Sequence, residues 1–407
     1  MWSALTGRRL RAVSILTTLL AIAILAAPAT VSARRHRAPA EPSNSEEGAE
    51  TAAGSRLTAP YTAACVMEPT TGTIIFEEDA HKPWPTASLT KMMLMLIVAE
   101  KLHDGSLKLS DQITTSRKAA KMGGSQVYLA EGETFALEDM MQAIVVHSAN
   151  DASVAVAEYI AGSTEAFVQM MNNRAAGLGM KDTHYYSVHG LPPAPGQQAD
   201  VSSAYDSAVL ARELVKYPDI LRWSAIDTAR FRKGTFELRN TNHLVRTFRG
   251  CDGLKTGFYY KAGFNVTATA KRNDLRLIAV VLGSPRKAQN FGQAATMLSQ
   301  GFLNYQMYRV ARKGDRVAQR VAVTGGAATE TKPAWDRDVA VFLKRGDEHR
   351  GLKINFNLPG SIAAPVTAGQ QIGSAEVLVD GKPAATAPLV APDNIPRASL
   401  LRRLFGI

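Results

Sequence analysis

A serine and a lysine stand three residues apart, at Ser88 and Lys91, just before an almost wholly apolar segment from Met92 to Ala99. Such a segment predicts a helix that is buried on all sides. Residues three apart lie on one face of a helix, so the two side chains are expected to be neighbours. A lysine amine whose pKa is depressed by burial or by a second cation can deprotonate a serine nucleophile. The pattern therefore predicts a nucleophile and its base on one rigid core helix.

The residues before this pair predict how the helix begins. Trp84-Pro85-Thr86-Ala87 contains a proline that favours a turn into the helix. Ser88 is then expected near the positive end of the helix dipole, where an oxyanion is stabilised. A serine and a lysine at this spacing also occur by chance in many chains, so the interpretation needs further motifs.

Residues 1–33 have the pattern of a secretory signal peptide. Three arginines precede an apolar stretch at residues 12–27, and Val31-Ser32-Ala33 fits a cleavage site. An uncleaved membrane anchor is the alternative. Residues 34–59 are rich in Ala, Glu, Ser and Pro without periodicity, which predicts a disordered linker. We expect the mature chain to be periplasmic or otherwise extracytoplasmic.

The chain is basic, with a formal net charge of +11. A basic balance favours nucleic acid or an anionic surface as partner. Since no stretch interleaves basic and aromatic residues, we expect an anionic envelope and no nucleic acid. The histidines and cysteines lack metal-ligand spacing, so neither a metal nor a cofactor is predicted. Cys65 and Cys251 allow one disulfide at most, and a disulfide scaffold is excluded.

The hydrophobic pattern divides the rest of the chain into three parts. Residues 60–305 begin with a predicted hairpin, continue with helices, including one expected at Ser153–Ile160, and end with strands and a closing helix. Residues 306–394 alternate short β-type runs with Gly and Pro turns, which predicts a small all-β domain. Residues 395–407 place leucines and a phenylalanine on one helical face, with arginines beside it. This predicts an amphipathic helix, beginning at Pro396, that lies on an anionic membrane surface; a helix docked on the protein is the alternative.

Two further short motifs follow the first in the chain, Ser148-Ala149-Asn150 and Lys255-Thr256-Gly257. With Ser88-x-x-Lys91, this order resembles the penicillin-recognising serine acyl-transferases. Within that group the chain is most similar to the low-molecular-mass penicillin-binding proteins that are D-alanyl-D-alanine carboxypeptidases. The similarity extends to His189-Gly190-Leu191 and to Lys261-Ala262-Gly263-Phe264-Asn265.

This resemblance implies a fold and an activity. The fold is α/β (α+β), a serine β-lactamase/DD-peptidase-like domain with an antiparallel sheet flanked by helices, plus the small all-β C-terminal domain. The activity is removal of the terminal D-Ala from peptidoglycan stem pentapeptides through an acyl-enzyme. Stem peptides and β-lactam antibiotics are the implied ligands, and penicillins would inhibit covalently.

The resemblance also implies a role for each motif residue. Ser88 attacks the carbonyl of the penultimate D-Ala, Lys91 takes its proton, and Ser148 relays a proton to the leaving amine. Asn150 holds Lys91 and the substrate amide. The Lys255 charge depresses the pKa of Lys91 and attracts the terminal carboxylate.

The strand that carries Lys255 completes the implied site. Thr256 hydrogen-bonds the carboxylate, and Gly257 belongs to the substrate-binding strand. The backbone N–H groups of Ser88 and Phe258 form the oxyanion hole.

Several positions depart from the family pattern. Phe258 and Tyr259 follow Lys-Thr-Gly, where relatives often have histidine, so the rim of the cleft is more apolar and substrate preference is open. An arginine for the substrate carboxylate is not clearly aligned; Arg286 is a candidate, and a solvated surface charge is the alternative. The family's sheet order places the strands of Cys65 and Cys251 apart, which favours free buried thiols.

Three other functions remain open from the sequence. A serine β-lactamase has the same chemistry, but class A enzymes need a Glu-x-x-Leu-Asn that Asp182-Thr183-His184-Tyr185-Tyr186 lacks. A DD-endopeptidase that cuts cross-links is not excluded. A non-catalytic peptidoglycan-binding protein is disfavoured because the reactive side chains are intact.

Overall fold

The computed structural model describes residues 60–348 and 351–399. The predicted signal peptide and linker, and residues 400–407 of the predicted anchor, lie outside the described residues. The helices are α1 (Lys91–His103), α2 (Arg117–Ala120), α3 (Leu137–Val146), α4 (Asn150–Ala161), α5 (Thr164–Gly177), α6 (Ala204–Leu214), α7 (Pro218–Ser224), α8 (Leu244–Thr247) and α9 (Lys287–Asn304), with 3-10 turns at Ala87–Thr90 and Arg232–Gly234.

Strands lie before, between and after these helices. Those before α9 are β1 (Ala63–Glu68), β2 (Thr73–Glu78), β3 (Trp84–Pro85), β4 (Gln112–Thr114), β5 (Thr134–Ala136), β6 (Val201–Ser202), β7 (Thr228–Phe231), β8 (Phe236–Arg239), β9 (Cys251–Tyr259), β10 (Gly263–Arg272) and β11 (Leu275–Ser284). Those after α9 are β12 (Tyr305–Ala311), β13 (Val321–Thr324), β14 (Glu330–Thr331), β15 (Ala334–Trp335), β16 (Val339–Lys344), β17 (Leu352–Asn357), β18 (Ser361–Ala363), β19 (Gln371–Val379) and β20 (Lys382–Val390).

A five-stranded antiparallel sheet in the order β2-β1-β11-β10-β9 separates two hydrophobic cores. Successive side chains of a strand point to opposite faces. On β11, Ile278 and Val280 therefore belong to the core shared with α1 and α6, whereas Leu277 and Ala279 belong to the core shared with α9. This arrangement confirms the predicted sheet flanked by helices.

Helix α1 is the centre of the larger core. Its residues from Lys91 to Ala99 are all buried, as the apolar run predicted. Two predicted details are wrong. Ser88 lies in the 3-10 turn that precedes α1, and the helix expected at Ser153–Ile160 begins at Asn150, directly after the second motif.

The C-terminal residues form the expected all-β domain. Its strands make sheets in the orders β12-β16, β14-β13-β18 and β15-β20-β19-β17. One core includes Trp335, Val377 and Leu389, and a second, smaller core includes Val321 and Val323 of β13. The first strand, β12, follows α9 without a linker. The ring of Tyr305 stacks on Phe342 of β16 with centroids 5.1 Å apart. The predicted boundary between residues 305 and 306 thus falls at the beginning of β12.

The described end of the chain belongs to this β domain. Ile395 and Arg397 form single-residue bridges with Val366 and Gly326, and the Ile395 side chain is buried. The predicted helix start at Pro396 is therefore wrong, because this segment pairs with neighbouring β structure. In residues 60–348 and 351–399, no helix has the length and hydropathy needed to cross a membrane.

The two cysteines are free and buried, as expected. Cys65 lies on β1 and Cys251 on β9, and β11 and β10 separate these strands. Burial raises the pKa of the Cys65 thiol to about 12 and that of Cys251 to about 11. Both thiols are therefore protonated and unreactive at neutral pH.

Candidate active site

The three motifs meet at one cleft, at the edge of the sheet formed by β9. The 3-10 turn before α1 supplies Ser88, the connection from α3 to α4 supplies Ser148, and β9 supplies Lys255. A cavity of about 260 Å³ is lined by residues of all three motifs, including Ser88, Ser148, Thr256, Gly257 and Phe258. The structure therefore brings together the residues predicted from the sequence.

Lys91 is wholly buried and its amine touches three oxygen atoms. The Nζ atom lies 3.0 Å from Ser88 Oγ, 2.7 Å from Asn150 Oδ1 and 2.7 Å from the carbonyl oxygen of His189. The amide and carbonyl oxygens only accept hydrogen bonds. A neutral amine can donate one N–H to each of them, which leaves its lone pair for the Ser88 hydroxyl. The geometry suits a general base.

The protonation state of Lys91 follows from its surroundings. Burial holds the pKa of Lys91 well below its usual value, and the positive charge of Lys255 lowers it further. The carboxylates of Asp200 and Asp151 oppose these two effects. Since desolvation is the largest cause, the amine has the depressed pKa that base catalysis by lysine requires.

Lys255 is equally buried but has other partners. Its Nζ donates to Ser148 Oγ at 2.8 Å and to the carbonyl oxygen of Thr256 at 3.1 Å. Burial lowers the pKa of Lys255 to about 7. The hydroxyl of Ser148 is thus placed beside an amine that titrates near neutral pH, a suitable position for proton transfer.

Two residues of the site have strained backbones. Ala87 has φ 48° and Ser148 has φ 65°, both in the left-handed region that residues with a Cβ rarely adopt. Each costs roughly 1–3 kcal/mol and persists only where the surroundings impose it. Ser88, which follows Ala87, and Ser148 both line the cleft. Nothing in the local sequence predicted these two backbone conformations.

Two glycines allow the backbone to approach the Ser88 turn. A Cβ on Gly257 would lie 2.5 Å from the Thr86 carbonyl oxygen and 2.9 Å from Ser88 N. A Cβ on Gly190 would lie 2.0 Å from the Ala87 carbonyl oxygen. Because no side chain fits these gaps, β9 and the His189–Gly190 loop pack directly on the turn that bears the nucleophile.

Several supporting residues were not identified from the sequence. The buried Asn265 side chain donates to the carbonyl oxygens of Pro85 and Thr86 at 2.9 and 3.2 Å, which ties the Ser88 turn to β10. The Asp200 carboxylate accepts hydrogen bonds from the backbone N–H groups of Tyr186 and Ser187. These bonds order the loop that presents the His189 carbonyl. Such partners lie far apart in the chain. Asn265 ends the motif Lys261-Ala262-Gly263-Phe264-Asn265, but the motif did not indicate which groups its side chain would contact.

His189 takes part through its backbone. Burial and the charges of Lys91 and Lys118 lower the pKa of its imidazole to about 4. The ring is therefore neutral, and its Nδ1 accepts a hydrogen bond from the N–H of Leu191 at 3.1 Å. The motif His189-Gly190-Leu191 did not predict the hydrogen bond that Lys91 donates to the carbonyl oxygen of His189.

Arg286, the candidate arginine for the substrate carboxylate, is not in the cleft. Arg286 is exposed, precedes α9 and does not line the cavity. The next residue, Lys287, does line it, together with Asn290 and Phe291 of the same helix. Both residues are exposed, and they differ in that the Lys287 side chain lines the cavity whereas Arg286 does not.

Comparison with known proteins agrees with this geometry. Residues 49–286 match the family D-alanyl-D-alanine carboxypeptidase, and residues 305–397 match the family Penicillin-binding protein 5, C-terminal domain. The D-alanyl-D-alanine carboxypeptidase DacF of Bacillus subtilis is 34% identical over 349 residues, which cover 84% of this chain and 88% of that protein.

Solved structures give the same result. The peptidoglycan synthesis regulatory factor PBP3 of Streptococcus pneumoniae superposes with a TM-score of 0.72 at 26% identity, over 83% of this chain and 100% of that one. Penicillin-binding protein D2 of Listeria monocytogenes, in its ampicillin-bound form, has a TM-score of 0.55 at 29% identity, over 61% of this chain and 100% of that one.

Proposed function

This chain belongs to the D-alanyl-D-alanine carboxypeptidase family, and we propose that Ser88, Lys91, Ser148 and Lys255 carry out its reaction. The protein is a serine-type peptidase that removes the terminal D-Ala of peptidoglycan stem peptides. The observation that carries the assignment of residues is the contact of the buried Lys91 amine with Ser88 Oγ at 3.0 Å.

Acylation begins when neutral Lys91 accepts the hydroxyl proton of Ser88. The Ser88 oxygen adds to the carbonyl carbon of the penultimate D-Ala. The backbone N–H groups of Ser88 and Phe258 hold the oxyanion that forms. Support comes from Gly257, the residue before Phe258, where β9 packs directly on the Ser88 turn. Asn150 keeps the Lys91 amine in place through its Oδ1 atom.

Collapse of the intermediate breaks the C–N bond of the terminal residue. Ser148 relays to the leaving amine the proton that Lys91 took from Ser88, so that Lys91 is again neutral and Ser148 keeps its hydroxyl. The Ser148 hydroxyl is held for this transfer by a hydrogen bond of 2.8 Å from the Lys255 amine. Protonated Lys255 and the Thr256 hydroxyl hold the carboxylate of the leaving D-Ala. Water then hydrolyses the Ser88 ester, which returns the free enzyme and a shortened stem.

Penicillins enter by the same route. Their strained amide acylates Ser88, and the product leaves slowly. Support comes from the fold neighbour in its ampicillin-bound form.

The extracytoplasmic location, the signal peptide at residues 1–33 and the disordered linker at 34–59 belong to the same proposal. Relatives named D-alanyl-D-alanine carboxypeptidase support it, since the peptidoglycan stem on which such an enzyme acts lies outside the cytoplasm. The β domain, at about residues 306–394, spaces the cleft from the membrane.

We also propose that the tail beyond Ser399 binds an anionic membrane surface. Two arginines beside leucines and a phenylalanine at residues 400–407 support this, with each basic residue worth about 1 kcal/mol near such a surface. The test compares liposome binding of the full chain with that of a chain truncated after Ser399. Salt-sensitive binding of the full chain alone is expected, and equal binding of both contradicts the proposal.

The experiment on function incubates the purified protein with a soluble pentapeptide stem and follows products by mass spectrometry. Release of one D-Ala is expected, and Ser88→Ala should release none. Intact pentapeptide with the native protein, or undiminished release by the variant, overturns the assignment.

A further inference from the structure

A second concave surface lies outside the catalytic cleft, among the helices. It has two lobes of about 430 and 310 Å³, each larger than the 260 Å³ cavity that Ser88 lines. The larger lobe is enclosed by α2, α4, α5 and residues 184–189. The two lobes share four lining residues and therefore form one surface, the loop groove; the shared residues are Tyr186, Ser187, His189 and Gln197.

The loop groove adjoins the catalytic base through His189. The His189 carbonyl oxygen accepts a hydrogen bond from Lys91 at 2.7 Å, and the same amine lies 3.0 Å from Ser88 Oγ. Thr256, which holds the leaving D-Ala in the proposed function, lines the catalytic cavity and not the groove. In a pentapeptide stem, four residues separate the scissile bond from the sugar, and they span up to about 14 Å when extended. That length exceeds the separation that the two short contacts allow between Ser88 and His189, so the sugar can reach the groove.

One wall of the loop groove is aromatic. Tyr186 is 44% exposed, and its ring packs on that of His184 with centroids 4.4 Å apart. The Tyr186 hydroxyl donates to the side chain of Gln198, and the backbone N–H donates to the Asp200 carboxylate. The ring is therefore fixed before a ligand arrives. Covering such a ring costs little side-chain entropy, which favours binding.

Two hydrogen-bond donors lie beside this wall without partners. The His189 ring accepts the N–H of Leu191 at Nδ1, so its proton is on Nε2, and Nε2 has no hydrogen-bond partner in residues 60–348 and 351–399. The side chain of Gln197 is bonded only through Oε1, which leaves its NH₂ group free of partners within the same described ranges. A ligand that offers a carbonyl or hydroxyl oxygen can accept from both groups.

The larger lobe combines a balanced ion pair with apolar side chains. The Lys118 amine and the Glu165 carboxylate are 2.8 Å apart, so their charges largely cancel. Together they can still donate to and accept from the hydroxyl groups of a ligand. Apolar side chains also line this lobe, namely Met122, Val154, Val168 and Val188. These features favour a neutral ligand with hydroxyls, a carbonyl group and an apolar face over an ion.

We propose that the loop groove binds an N-acetylated hexosamine, the sugar that carries the stem peptide. One C–H face of the sugar covers the Tyr186 ring. The acetamide oxygen accepts from His189 Nε2 and from the Gln197 amide, and the hydroxyls contact Lys118 and Glu165. The inference rests on the proposed function and extends its substrate from the stem peptide to the glycan strand. Binding of the sugar adds no chemical step; it holds the stem close to the nucleophile.

The test compares a soluble pentapeptide with the same pentapeptide attached to an N-acetylated disaccharide. We expect kcat/KM of the native protein to be on the order of tenfold higher for the glycan-linked substrate, the effect of one or two net hydrogen bonds. The gain should lie in KM, since the sugar is bound equally in the ground state and in the transition state. Equal kcat/KM for the two substrates overturns the proposal.

Two variants assign the gain to the loop groove. In Tyr186→Ala and in Gln197→Ala, the ratio of kcat/KM on the glycan-linked substrate to that on the bare pentapeptide should fall toward one. Tyr159→Ala is the matched control, because Tyr159 is 46% exposed on α4 and lines neither lobe, so its ratio should equal that of the native protein. A native ratio in both groove variants contradicts the proposal.

Free disaccharide tests whether the groove takes the sugar of the bound stem. In excess, it should lower kcat/KM on the glycan-linked substrate to the value for the bare pentapeptide and leave the latter unchanged. No competition would contradict the proposal. A native protein that processes both substrates at equal kcat/KM would refute this inference and leave the carboxypeptidase assignment in place. Failure to process either substrate would refute both.

Discussion

Two buried lysines face each other across the cleft, and their surroundings differ. Lys91 contacts three oxygens and has the carboxylates of Asp200 and Asp151 nearby, whereas burial alone accounts for the lowered pKa of Lys255. Both amines are fully buried. The comparison shows that burial lowers the pKa of a lysine and that its partners then decide its role. Lys91 is arranged as a base, and Lys255 as a cation that a substrate carboxylate stabilises.

The largest expected effect on the rate of acylation comes from replacement of Lys91, the general base. Lys91→Met should reduce the rate of acylation by penicillin by on the order of 10³-fold or more, within the range for a general base. Methionine fills a similar volume without the amine, so circular dichroism should still show a folded protein. The control is Lys108→Ala, an exposed lysine after α1. Rapid acylation of Lys91→Met would show that another group is the base.

Replacement of the second lysine should have a smaller effect that depends on pH. Lys255→Gln should slow acylation by roughly 10²-fold, because Ser148 and the carboxylate lose their cation. Since the Lys255 charge lowers the pKa of Lys91, that pKa should rise in the variant, and part of the loss should be recovered at higher pH. Lys255→Arg should keep some docking of the carboxylate, although the two side chains are not equivalent. A pH-independent loss would mean that the lysines are not coupled.

The native protein should show a bell-shaped dependence of kcat/KM on pH. The rate rises as Lys91 loses its proton and falls as Lys255 loses its proton, and the two amines titrate as a coupled pair. The Lys255 pKa of about 7 in the free enzyme places the falling limb near neutral pH. In kcat, which reports the bound enzyme, this limb should move to higher pH because the substrate carboxylate stabilises the charged form. If the falling limb lies at the same pH in the kcat/KM and kcat profiles, the substrate carboxylate does not dock on Lys255.

The smallest effect is expected at Asp200. Its carboxylate raises the pKa of Lys91, so Asp200→Asn should lower that pKa and move the rising limb of the profile to lower pH. The variant also weakens the hydrogen bonds to Tyr186 and Ser187, which should cost about 1–3 kcal/mol of folding stability. The measurements are a pH profile and a thermal melt. A shift of the rising limb to higher pH would contradict the role of Asp200.

The sequence predicted the residues of the reaction better than it predicted the residues that hold them in place. Ser88, Lys91, Ser148 and Lys255 were recognisable because each belongs to a short motif. Apolar runs predicted individual strands, and the resemblance to the family implied the antiparallel sheet flanked by helices. The His189 carbonyl and the strained backbones of Ala87 and Ser148 depend on packing between distant segments. Lys287 was missed in favour of Arg286 because only the start of α9 decides which of two adjacent cations enters the cleft. The helix predicted from Pro396 failed because β pairing with Val366 and Gly326 outweighed a local amphipathic pattern.

The central claim, that Ser88 is the nucleophile activated by Lys91, is tested most directly by locating the covalent adduct of a labelled penicillin. The protein is incubated with the label, digested and sequenced by mass spectrometry, in parallel with Ser88→Ala and Lys91→Met. The account predicts one adduct, on Ser88, none in Ser88→Ala and only slow formation in Lys91→Met. An adduct on another residue, or undiminished labelling of Ser88→Ala, would contradict it.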